Sequence, residues 1–201
     1  MALGSNETLT GAKVMRDNFQ SSFAGDALAA GEMVPSRDRI TSSAITLASG
    51  VMSLTYFTAT RSETVTTATL YSGSTAAAAT PTLIRVGVYS VDVVSGALSL
   101  VAATANDTTL LSATNTAYPK ALTSSWDKVA GTRYALGVLV VSGAAMPTLH
   151  GLLLTATNVV NTLSRLNPAI AGRVSSLSDL PSSVAAGSLV GAQGMPLFLV
   201  S

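Results

Sequence analysis

The chain has 201 residues, no cysteine, a single histidine and a formal net charge of +1, with 10% charged and 48% hydrophobic side chains. The missing thiols exclude disulfide staples and thiolate zinc sites, and the near-neutral balance gives no electrostatic footprint for nucleic acid or anionic lipid. Nucleophiles, bases and metal ligands are so scarce that the composition argues against a hydrolase or metalloenzyme and for a body that packs and assembles.

A chain of this length buries roughly 70% of its unfolded surface on folding, which predicts one main domain. Mean hydropathy is +0.47, yet no apolar run approaches the roughly 20 residues of a spanning helix. The strongest run, Ala135 to Val141, stops at Ser142. High hydropathy without a span points to surface hidden at subunit interfaces. The opening residues lack the basic stretch and apolar core of a secretory signal.

Nine charged residues fall between Glu7 and Arg39, together with Gly4, Gly11, Gly25, Gly31 and Pro35. Met15, Phe19 and Phe23 repeat at helical spacing and predict one short helix. Residues 1–40 therefore read as an extended, partly helical arm. Its aromatic anchors Phe19 and Phe23, with charges Arg16, Asp17, Arg37, Asp38 and Arg39, would dock on a neighbouring subunit or particle.

From residue 41 to 201 the period changes to that of strands. Ile45 and Leu47 alternate with Thr46, and Ser49-Gly50 makes a turn. Met52, Leu54 and Tyr56 then mark a half-buried strand. The Thr-rich stretch Glu63 to Tyr71 places Val65, Thr67, Thr69 and Tyr71 on one face, and a small-residue loop follows it. Ile84, Val86 and Val88, a Ser95-Gly96 turn, and Leu98, Leu100 and Ala102 predict a hairpin. After Pro119 a short strand is expected around Ala121-Leu122, and a new segment begins at Trp126. A turn at Val129–Thr132 leads to a continuous apolar strand, Tyr134 to Val141, expected to be covered by the opposing sheet and by another subunit. Thr148 to Thr155 is a further strand, Asn158 to Leu166 a short helix, Pro168 to Ala186 a loop, and Leu197 to Val200 a last strand. Eight to ten such strands suit an all-β, two-sheet antiparallel β-sandwich.

Few residues in this pattern offer chemistry. His150 has no second His or Cys to complete a metal or catalytic set, and reads as a hydrogen-bonded, half-exposed histidine. Asp92, Asp107, Asp127 and Asp179 are isolated and lack calcium-loop spacing, so turn and cap roles are expected. With Glu63 they are the only carboxylates of the body, and nothing in their spacing pairs them across a glycosidase cleft. Tyr118 and Trp126 lie outside the strongest strands and are the candidate stacking residues for a glycan. No catalytic residue, cofactor or metal is expected.

The runs RDRITSSAITLASGVMSLTYFTATRSETVTTATLYSG (37–73), TPTLIRVGVYSV (80–91), ANDTTLLSATNTAYPKAL (105–122), KVAGTRYALGVLVV (128–141) and DLPSSVAAGSL (179–189) resemble a jelly-roll-like module. That module occurs in virion proteins of tailed phages that infect actinobacteria, commonly labelled minor tail proteins. The resemblance covers about residues 37–201 and rests on strand-and-turn wording. It implies a jelly-roll-like sandwich behind an N-terminal arm, in a non-enzymatic structural protein on the phage particle surface, made in the host cytoplasm. The implied partners are further copies in a homotrimer and other phage tail or capsid proteins, with no membrane insertion. Two alternatives stay open: a capsid decoration or head-fibre protein, and a module binding a host cell-surface glycan.

Overall fold

The computed structural model describes residues 32–34, 43–77, 81–153 and 170–201. The arm residues 1–31 and 35–42, including Arg16, Phe19, Phe23, Arg37 and Arg39, lie outside them, as do both expected helices. The described residues form an all-β, antiparallel β-sandwich.

Fourteen strands are present among these residues: β1 (Glu32–Val34), β2 (Ser43–Thr46), β3 (Val51–Thr58), β4 (Glu63–Tyr71), β5 (Leu83–Val91), β6 (Leu98–Ala103), β7 (Ala117–Lys128), β8 (Arg133–Val141), β9 (Thr148–Leu153), β10 (Ala171–Val174), β11 (Ser183–Val184), β12 (Val190–Gly191), β13 (Gly194–Pro196) and β14 (Phe198–Val200). A seven-stranded sheet runs β11-β6-β5-β8-β3-β10-β12. Beside it are a four-stranded sheet, β1-β14-β4-β7, and a three-stranded sheet, β13-β9-β2.

The seven-stranded sheet has a core on each face, and strand alternation separates the two. In β8, Tyr134, Leu136, Val138 and Val140 face one core, with Ile84, Val86 and Val88 of β5. Val65, Ala68 and Leu70 of β4, Trp126 of β7 and Phe198 and Val200 of β14 close that core from the four-stranded sheet. Ala135 and Leu139 face the other core, with Met52, Leu54 and Tyr56 of β3, and Val174, Leu180 and Val184. Burying each Leu or Val side chain contributes about 1.5–3 kcal/mol. The expected continuous burial of β8 is present, but its second cover differs from expectation. Residues 174–184 of the same chain supply it, so another subunit is not needed there. Tyr89 helps to fasten this cover, donating from its hydroxyl to the Pro181 carbonyl at 3.2 Å.

Turn chemistry follows the sequence closely. Gly96 has φ +78°, a left-handed conformation suited to glycine, and Asp92 Oδ1 accepts from the amides of Val94 at 2.8 Å and Ser95 at 3.0 Å.

Three features depart from the predicted strands. The register of β4 against β7 shifts between Val65 and Thr67, and the amides of Thr66 and Thr67 both donate to the Ser201 carbonyl at 2.8 Å. A bulge changes which residues share a face, so Val65 packs with Ala68 and Leu70 rather than with Thr67, Thr69 and Tyr71. Strand β7 is one 12-residue element that runs through Pro119. It lies at the end of its sheet, where a missing amide proton is tolerated. Finally, the loop expected over 168–186 contains β10, whose Arg173 stands opposite Ser53 of β3.

Candidate functional site

Strand alternation places a charge where apolar residues are expected. Along β7, Trp126 and Lys128 are its buried residues, two positions apart on the inward face. In β4, Glu63 and Val65 stand in the same phase, and Glu63 is the direct cross-strand partner of Lys128. The Lys128 side chain is fully buried. A charged side chain taken out of water costs several kcal/mol unless it is paired and hydrogen-bonded.

Two carboxylates meet that requirement. Lys128 Nζ donates to Glu63 Oε1 at 2.6 Å and to Glu32 Oε2. Glu32, on β1, is itself buried. Its other oxygen, Oε1, accepts from the Thr60 amide at 2.9 Å and the Thr60 hydroxyl at 2.8 Å. Arg61 Nε lies 2.6 Å from Glu63 Oε2. Partial burial pushes the Glu63 carboxyl up, but hydrogen bonds and charge from Lys128 and Arg61 prevail and hold it below its ordinary value.

The cluster therefore joins three strands and the β3–β4 connection. Strand β1 itself is short: Glu32, Met33 and Val34 pair with Val200, Leu199 and Phe198 of β14. Its attachment rests on that ladder, the buried Val34 and the ion cluster. Glu32 belongs to the stretch read as an arm, and here it is built into the sandwich. The two carboxylates are separated by a buried ammonium group, not by the open cleft in which a glycosidase positions sugar and water.

The other predicted residues have structural partners. Asp107 Oδ1 accepts from the Thr109 amide at 3.0 Å and hydroxyl at 2.6 Å, and Oδ2 pairs with Lys120 Nζ at 2.7 Å. Asp127 accepts from the Thr64 hydroxyl. Asp179 accepts from Arg85 and from the Leu180 amide, both at 2.7 Å, fastening the cover over the second core. His150 is half-buried, with Nε2 3.2 Å from Asn115 Oδ1. Among the described residues, no group of three or more His, Cys, Asp or Glu side chains is placed to hold a metal.

The pair of candidate glycan contacts separates. Trp126 is 5% exposed and meets the Tyr134 ring edge-on at 4.6 Å between centroids. It is a core residue, so its face is closed to a sugar. The position of Trp126 on the inward side of the long strand β7 is the reason. Tyr118 is half-buried against the first core, and its hydroxyl accepts from the Ala113 amide at 2.6 Å.

The sequence carries only part of the signal for the Glu32–Lys128–Glu63 cluster. Trp126-x-Lys128 and Glu63-x-Val65 each put a charge in step with a core residue. Glu32, however, lies 96 residues from Lys128, and no local pattern connects them. No protein-family model matches the chain, and no curated protein matches it.

Proposed function

We propose that the chain is a non-enzymatic structural protein of a tailed-phage particle, a minor tail protein that attaches through the segment preceding β1 and displays the β-sandwich. The observation that carries this reading is the rooting of β1. Backbone pairing to β14 and a buried ion cluster fix Glu32–Val34 to the body, so force on the preceding residues reaches the sandwich through a buried anchor. The sequence resemblance over residues 37–201 supports the same reading. The aromatic and charged residues Arg16, Phe19 and Phe23 are the proposed contacts with the particle or with a neighbouring copy, and a homotrimer is the proposed assembly.

The test is a phage carrying a deletion of residues 1–28 in this chain. The shortened protein is expected to accumulate folded in the lysate but to be absent from purified particles. Incorporation at the normal level would overturn the proposal. Immunogold labelling of wild-type particles separates a tail position from a capsid-surface one.

A further inference from the structure

The cluster around Lys128 contains more than a pair of opposite charges requires. A fully buried primary amine touches one carboxylate, Glu32, through Oε2 and a second, Glu63, through Oε1. The far oxygen of Glu32 receives two donors, the Thr60 amide and hydroxyl, at 2.9 and 2.8 Å. A nucleophile, a base in contact with it and a polarised carboxyl group are the parts of an acyl-transfer site.

We propose that Lys128 and Glu32 join in an intramolecular amide bond, formed by the protein itself with Glu63 as the proton carrier. Glu63 takes a proton from the Lys128 ammonium and hands it to Glu32 Oε2, and the freed lone pair then adds to Cδ of the neutral carboxyl group. Negative charge gathers on Oε1, facing the Thr60 N–H and O–H donors, as in an oxyanion hole. Glu63 then carries a second proton from the attacking nitrogen to Oε2. The Cδ–Oε2 bond breaks and water leaves. One ammonium and one carboxylate become one amide and one water, Glu63 ends as the carboxylate it began as, and no oxidant or cofactor is consumed.

Burial favours this outcome, because an amide removes two charges from a place where charges are costly. Holding amine and carboxyl in contact also replaces a bimolecular encounter with an intramolecular one. Arg61 lies 2.6 Å from Glu63, and its charge favours the carboxylate form that Glu63 regains once it has passed its proton on. The bond would fasten β1 to β7 covalently in a chain that has no cysteine, and it stands whether or not the chain belongs to a phage particle.

The deciding experiment is intact-mass spectrometry of the purified full chain under denaturing conditions, followed by tryptic mapping. The expected mass is lower than that of the sequence by one water molecule, with a branched peptide joining Glu32 to Lys128 and no cleavage after Lys128. A mass equal to the sequence, with Lys128 cleaved normally, overturns the proposal. Glu63→Gln keeps both reacting groups and removes the proton carrier, so its mass is expected to return to the full value. Lys128→Met is expected to do the same. A Glu63→Gln chain that is folded and still short by one water would overturn the role given to Glu63.

Discussion

Glu63 and Lys128 are direct cross-strand partners in β4 and β7, and their side chains meet at 2.6 Å with the ammonium wholly inside the protein. The pairing explains why a lysine occupies an inward position two residues beyond Trp126. Charge at such a position is tolerated because each side of the ammonium has a carboxylate. The same requirement recruits Glu32, and through it the first described strand.

Removing the cation alone is therefore more harmful than its size suggests. Lys128→Met leaves buried Glu32 without its cation and half-buried Glu63 with Arg61 alone, and a loss of about 3–5 kcal/mol is expected. Urea unfolding of the variant beside the wild-type chain measures it. A loss within the range of ordinary surface substitutions, about 0.5 kcal/mol, would contradict the placement of the cluster.

Acid stability has an identifiable contributor. The Lys120 hydrogen bond first, then those from Thr109, lower the Asp107 carboxyl from 3.8 to about 2. A carboxyl lowered by folding stabilises the protein above its unfolded value, and this contribution fades as pH falls from about 4 towards 2. Urea midpoints of wild type and Asp107→Asn, compared from neutral pH downwards, are expected to differ at neutral pH and converge across that window. A constant difference throughout would show that the carboxylate charge is not responsible.

Trp126 reports directly on the first core. As the only tryptophan, its emission is expected to be blue-shifted and resistant to acrylamide in the native chain. Trp126→Ala is expected to cost about 3–5 kcal/mol, the usual range for emptying such a site. Rapid quenching in the folded protein would place the indole at the surface and reopen it to glycan stacking.

Strand β9 depends on close approach at Gly151. A Cβ there would lie 2.3 Å from the Met195 carbonyl oxygen and 2.7 Å from Ile45 Cγ1. Because a backbone atom must move, Gly151→Ala is expected to lower stability by at least about 1–3 kcal/mol. Thermal unfolding tests this, with Gly143→Ala as a comparison, since nothing lies within 4 Å of a Cβ built at Gly143.

Much of the sandwich is legible along the chain because period-two alternation reports which face of a strand is buried. The β5–β6 hairpin, the Ser95-Gly96 turn and the continuous run of β8 all follow from such local signals. The face of β4 does not, because its bulge is set by two amides that share the distant Ser201 carbonyl. Pro119 conceals β7 because it suppresses a strand pattern unless the edge position is known. The second cover over β8 is also hidden, since Leu180 and Val184 sit in a Ser-rich stretch interrupted by Pro181. At the cluster, half of the geometry is visible in the phase of Lys128 and Glu63. The rest depends on β1 finding β14 across nearly the whole chain.

Strand β1 belongs to the body and ties the residues before it to the sandwich. Equilibrium urea unfolding of two truncations, lacking residues 1–28 and 1–34, tests it most directly. The shorter deletion is expected to retain the stability of the full chain, while the longer one is expected to lose about 3–5 kcal/mol by stripping Glu32 from buried Lys128. Equal stability of the two truncated chains would contradict this placement of β1.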